Sequence, residues 1–255
     1  MTGSVTDHEV PTTDETPAPY DLHRVRQRKL EATARLLGDT IQLSDAQWQS
    51  PSLLPGWSRA HVATHLSRNA DGFNRVVEGF LSGQRKRMYD SEADRQLDIE
   101  RGAHRGGLDL QIDLDTSASQ LNETMNRLEA LDQARWDDPV ELRAGLRVPA
   151  SLIATARLSE VVLHHVDLDV GFGIADVEED IAGSMLQWMF FKLGSREDIP
   201  RLDITSTSGR SAQLGGFGPP LTVSGDDQQL MGWLSGRGSD EQLTGTDNAV
   251  MPLIG

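Results

Sequence analysis

The stretch that decides the fold is Pro149-Ala150-Ser151-Leu152-Ile153-Ala154-Thr155-Ala156-Arg157-Leu158-Ser159-Glu160-Val161-Val162-Leu163-His164-His165-Val166-Asp167-Leu168-Asp169-Val170. Wound as a helix it is apolar on nearly every side, through Leu152, Ile153, Ala156, Leu158, Val161, Val162, Leu163, Val166 and Leu168. Such a helix is buried. Pro149 stands near the first turn, where proline is tolerated. One polar stripe interrupts the apolar surface: Arg157, Glu160, His164 and Asp167. Buried polar groups are costly unless paired or metal-bound, so the stripe is expected to face an internal site.

Glu160 and His164 are spaced i,i+4, which stacks them on one face about 6 Å apart along the axis. The same spacing occurs once more, in His61-Val62-Ala63-Thr64-His65. Ser58 is a credible N-cap for a helix running from there to about Leu81, with Val62, Leu66, Phe73, Val77 and Phe80 as its apolar stripe. Two histidines and a carboxylate on facing helices can hold zinc with the fourth position open, as a catalytic zinc requires. Four donors, His61, His65, Glu160 and His164, would instead close the site and make it structural. Spacing alone does not choose between these sets. His165 points about 100° away from His164 and is a poor co-ligand. Zinc suits this donor set, and nickel or iron would also bind.

The remaining chain builds outward from these two helices. Apolar residues recur at helical intervals from Asp21 to Leu43, and a third helix fits Thr116–Leu131. Residues 82–115 are charged and glycine-rich and read mostly as a long crossover with room for a short helix. After Gly173 the pattern changes. Ala175–Leu193 reads as a helix, residues 202–207 and 221–224 alternate like strands, and Gln228–Leu234 is a short helix. The expected class is therefore α+β: a four-helix bundle over residues 20–172, then a small α/β domain over 173–255. Residues 1–19 hold three prolines and no Lys or Arg, and are expected to be a disordered tail and not a signal peptide.

Composition narrows the function. A net charge of −15 argues against a nucleic-acid partner, because that affinity depends on neutralising phosphates. Arg85-Lys86-Arg87 is soon followed by Asp90, Glu92 and Asp94 and reads as a solvated loop. No apolar run approaches the ~20 residues of a membrane span, and a cytoplasmic location is expected. Cysteine is absent, so any thiol used in catalysis must arrive on a small molecule.

The run Leu54-Pro55-Gly56-Trp57-Ser58-Arg59-Ala60-His61-Val62-Ala63-Thr64-His65 resembles the N-terminal motif of the mycothiol-dependent maleylpyruvate isomerase family. Val148-Pro149-Ala150-Ser151, Arg157 to His164, and Gly236-Arg237-Gly238-Ser239-Asp240 resemble it further, in order. The resemblance runs from about Leu22 to Asp240, and it is weakest over residues 84–147 apart from Met88-Tyr89. It implies a DinB-like four-helix bundle whose metal ligands fall on His65, Glu160 and His164, followed by an α/β domain that helps close the active site. It implies a catalytic or binding role for Arg237, which could hold a substrate carboxylate. Asn69 and Arg157 stand one turn from ligands and are candidates for contacts with substrate or thiol. Trp57 and Tyr89 are expected to pack.

The cofactors so implied are zinc and mycothiol. Zinc coordination deprotonates a thiol, supplying the nucleophile that a cysteine-free chain lacks. Addition of the thiolate to the cis double bond of maleylpyruvate would make it a rotatable single bond. Rotation and elimination would then give fumarylpyruvate. A thiol S-transferase acting on another electrophile would use the same residues. A binding protein with a structural metal is the reading from another class.

Overall fold

The computed structural model describes residues 21–194 and 196–254, so the tail expected over residues 1–19 lies outside the described residues. In chain order the elements are α1 (Leu22–Thr40), α2 (Asp45–Gln49), α3 (Arg59–Leu81), α4 (Glu92–Gly102), α5 (Gly107–Glu129), β1 (Pro139–Glu141), β2 (Arg147–Pro149), α6 (Ile153–Asp167), α7 (Glu179–Leu193), β3 (Pro200–Ser206), β4 (Ser211–Leu214), β5 (Phe217–Gly225) and α8 (Asp227–Leu234).

Local chemistry sets the long helices. Asp21 caps α1 by accepting from the Arg24 N–H at 3.1 Å. Ser58 caps α3 in a reciprocal box with His61, whose Nδ1 accepts from the Ser58 N–H at 3.2 Å. Helices α1, α3, α5 and α6 close a ring, with α3 packed on α5 and α6, and α1 packed on the same two. This is the four-helix bundle expected from the sequence. Every residue of α6 except Glu160 is buried. Ile153 and Leu158 are sealed completely, each worth roughly 1.5–3 kcal/mol against exposure. Glu160 is thus the least buried position of the central helix.

The C-terminal part is a three-stranded sheet ordered β4-β3-β5, with β3 antiparallel to β4 and parallel to β5. Leu202 and Ile204 of β3 pair with Leu221 and Val223 of β5. Leu202, Ile204 and Val223 are buried in the same apolar cluster as residues of α7 and α8. That cluster continues without a break into α1, α3 and α6. Arg28 of α1 adds a two-pronged ion pair to Asp180 of α7, at 2.8 and 3.1 Å. No described helix is long and apolar enough to cross a membrane.

The structure departs from the sequence reading over residues 82–149. Helix α5 begins at Gly107 and not at Thr116. Its N-cap, Gly106, makes no side-chain cap bond; Asp45 of α2 supplies the acceptor for the Gly107 N–H, at 2.7 Å. A Cβ on Gly107 would stand 2.5 Å from Cδ1 of buried Trp48. The start of α5 is therefore set by contacts with α2, far away in sequence. Helix α4 fills the room left for a short helix in the stretch read as a crossover, and the β1–β2 hairpin lies, up to Val148, in residues given no element by the sequence reading. The hairpin pairs Val140 with Val148, and its tip carries Ala144 and Gly145 in the left-handed region. The helix read over Ala175–Leu193 begins later, at Glu179, after a 3-10 turn over Ile174–Asp176.

Candidate metal centre

Helix α3 carries His65 and helix α6 carries Glu160 and His164, and the bundle brings the three together. His65 Nε2 lies 3.1 Å from His164 Nε2 and 3.3 Å from Glu160 Oε2, and His164 Nε2 lies 3.5 Å from Glu160 Oε2. Zinc bonds to nitrogen and oxygen are about 2.0–2.2 Å, so two ligand atoms at tetrahedral positions stand roughly 3.3–3.6 Å apart. The three donor atoms thus outline one face of a tetrahedron of the size zinc requires. They form the one cluster of potential metal ligands found among the described residues. His61, the fourth candidate, faces elsewhere: its Nδ1 is 2.7 Å from Ser58 Oγ and its Nε2 is 3.4 Å from Glu100.

Electrostatics favour a bound cation. Burial pushes the His65 imidazole down to about 4, beyond what Glu160 can offset, so it is neutral and free to ligate. For Glu160 burial opposes ionisation, yet hydrogen bonds from His164 and His65 hold it well below the usual carboxylate range. Burial also disfavours a charged His164, but the carboxylates of Asp167 and Glu160 outweigh it and raise its pKa. Two imidazoles and an ionised carboxylate in a dry site form a strong donor set for a divalent metal.

Behind the triad lies a supporting chain of polar contacts. His164 Nδ1 bonds Asp167 Oδ2 at 2.7 Å, which leaves Nε2 facing the cluster. Asp167 in turn accepts from Arg237 Nε at 2.8 Å and Nη2 at 2.7 Å. Arg237 Nη1 donates to the carbonyls of Ser235 at 2.9 Å and Ile254 at 2.7 Å. The Arg237 side chain is only 4% exposed, and it does not line the cavity described below. The structure therefore places this side chain against Asp167, behind His164 and outside the cavity lining. The flanking glycines allow that placement. Gly236 has φ +73 beneath the Pro252 carbonyl, and a Cβ on Gly238 would meet the backbone of Gly232 at 2.8 Å.

On its open side the triad faces a cavity of about 270 Å³. His65 and Glu160 line it, together with Asn69, Tyr89, Trp188 and residues Leu142 to Ala144 at the hairpin tip. Asn69 Oδ1 accepts from Arg157 Nη1 at 2.6 Å, leaving its amide N–H groups to meet a molecule in the cavity. Arg157 is buried outside the cavity, also donates to the Leu66 carbonyl at 2.9 Å, and is pushed down to about 10 by burial. Trp57 packs edge-on to the His65 ring, 5.6 Å between centroids. His165 turns away, stacked on Phe172 at 4.1 Å.

Sequence reasoning placed Asp167 on the polar stripe but gave it no task. It did not find Arg95, whose Nη2 is 3.2 Å from His65 Nδ1, nor Trp188 and Lys192 of α7 in the cavity wall. Arg95 stands on α4, in a stretch with no helical pattern strong enough to announce it. Trp188 and Lys192 are spaced i,i+4 in the helix read over Ala175–Leu193, but nothing local says which way that face turns.

A four-helix bundle that gathers two histidines and a glutamate beside a cavity, backed by a sheet-bearing C-terminal part, defines a bundle protein with a candidate metal site and room for a small ligand. The chain belongs to the family described as the mycothiol maleylpyruvate isomerase N-terminal domain, which matches residues 29–169. Its fold is that of two solved structures, the mycothiol-dependent maleylpyruvate isomerase and a histidine-to-alanine mutant of that enzyme. Each is 22% identical in sequence with a TM-score of 0.79, covering 91% of this chain and 97% of the other. No curated protein matches the chain by sequence.

Proposed function

We propose that this protein is a zinc- and mycothiol-dependent cis-trans isomerase that converts maleylpyruvate to fumarylpyruvate. The observation that carries the proposal is the triad itself: three donors at tetrahedral spacing whose remaining side opens onto a cavity fit for a small molecule. A metal held by His65, Glu160 and His164 would lower the pKa of a thiol and keep it as a nucleophilic thiolate.

The other residues prepare the site for that chemistry. A divalent metal would displace any proton from His164, so two neutral imidazoles and one carboxylate would bring it one negative charge and leave a net positive centre for an anionic sulfur. Asp167 and Arg237 fix the His164 ring, so Nε2 is presented without a search over rotamers. Phe73, Met88, Leu142 and Trp188 give the cavity apolar walls, beside which electrostatic contacts are stronger than in open water. Asn69 offers amide donors one helical turn from His65.

The test is to mix zinc-loaded protein with maleylpyruvate, with and without mycothiol, and to follow products by absorbance and mass. Thiol-dependent fumarylpyruvate with mycothiol recovered intact is the expected result. Maleylpyruvate left unchanged would refute the substrate assignment, and a stable thioether would reassign the chemistry to an S-transferase.

A further inference from the structure

Three cations line the cavity: Arg95, Arg143 and Lys192. Two of them are already committed. Arg143 grips Glu92 through Nε at 3.0 Å and Nη2 at 2.9 Å. Arg95 donates to the same Glu92 at 3.1 Å, and its Nη2 stands 3.2 Å from His65 Nδ1. Of the other cations near the triad, Arg237 spends its donors on Asp167 and two carbonyls, and buried Arg157 donates to Asn69 and the Leu66 carbonyl. Lys192 differs: it has no hydrogen bond or ion pair with any described residue, and its ammonium is not sealed from the cavity.

Lys192 sits one turn after Trp188 on α7, so the two side chains form one wall of the cavity, an apolar plate beside a free positive charge. Glu160 is close enough to act on it electrostatically but does not pair with it. A half-buried ammonium without a counter-ion is unfavourable by itself and gains most from an incoming anion.

We infer that Lys192 is the specificity-determining residue of the cavity, binding a carboxylate of the substrate so that its double bond lies against the triad. The inference rests on the isomerase reading for the identity of that substrate, but not for the presence of an anion subsite. A lysine suits this task as a point charge that follows the carboxylate by rotation of its stem.

The experiment compares wild type, Lys192→Met and Lys192→Arg as zinc-loaded protein with mycothiol. The probes are maleylpyruvate, neutral cis-hexenedione, and succinate as an unreactive carboxylate whose binding is read by calorimetry. A charge-assisted hydrogen bond predicts a rise in KM for maleylpyruvate of about 10- to 100-fold in Lys192→Met, with kcat changed little. Succinate affinity should fall by a similar factor, turnover of cis-hexenedione should stay the same, and Lys192→Arg should restore most of the loss. Equal losses on charged and neutral electrophiles, or unchanged succinate affinity in a folded Lys192→Met protein, would overturn the inference. If wild type leaves maleylpyruvate untouched, the isomerase reading falls, and the succinate arm still decides whether Lys192 is an anion site.

Discussion

Replacing Asp167 with Asn should loosen the metal centre without touching a ligand. Asp167 is 1% exposed and accepts three hydrogen bonds, one from His164 and two from Arg237. Asparagine keeps the shape but loses the charge and replaces one accepting oxygen with a donor that opposes the guanidinium. Arg237 is then a buried cation without a counter-ion, a change that costs about 3–5 kcal/mol of stability. The His164 ring loses its orienting carboxylate, which lowers metal affinity by about 10- to 100-fold, or roughly 1.4–2.8 kcal/mol. Denaturant unfolding of the metal-free protein reads the first effect, and zinc titration against a chromophoric chelator reads the second. Adding Arg237→Met should recover much of the lost stability by removing the orphaned cation, while zinc affinity stays low. Zinc affinity within twofold of wild type in a folded Asp167→Asn protein would refute the reasoning.

Three further outcomes follow from the same geometry. Lys29 is 3% exposed and pushed down to about 7, chiefly by burial and then by Arg157 and Arg26. Because its ordinary pKa of 10.5 returns on unfolding, the unfolded chain binds more protons between those values, and wild-type stability should rise with pH across that window. Below it the full cost of the buried ammonium is present, at most about 5 kcal/mol, so Lys29→Met should be more stable than wild type at neutral pH and below, with the advantage shrinking on alkaline titration. Gly107→Ala should lower stability by about 1–3 kcal/mol in thermal unfolding, because the new methyl group must displace the Trp48 ring, and should leave zinc binding unchanged. His61→Ala should keep one equivalent of zinc by elemental analysis while costing about 1 kcal/mol through loss of half the Ser58 capping box.

What the sequence disclosed, and what it hid, follows the range of the forces involved. Helices α3 and α6 could be read because the Ser58 cap of the first and the apolar runs of both are local, and i,i+4 spacing ties His65 to His61 and Glu160 to His164 on known faces. The polar stripe of α6 even announced Asp167, since an acid inside an apolar helix needs a partner. Choosing three donors among four required the fold, because His61 is withdrawn by Ser58 and Glu100 and not by anything in its spacing. The start of α5 was hidden for the same reason: its cap is Asp45, sixty residues earlier in round terms, and its first turn is fitted to Trp48. Arg237 was recognisable as part of a motif, but its direction depends on a C-terminal segment whose Ile254 carbonyl it binds. Lys192 carries no local signal at all, for its role arises from the partners that its neighbours have taken.

The most direct test of the metal centre is to titrate the metal-free protein with cobalt(II) and then with mycothiol, following visible and near-ultraviolet absorbance. The account predicts one equivalent of cobalt with an intense four-coordinate spectrum, and a new sulfur-to-metal band when one equivalent of thiol is added. His65→Ala and His164→Ala should show neither. Full cobalt binding in both variants, or a wild-type spectrum that the thiol leaves unchanged, would contradict it.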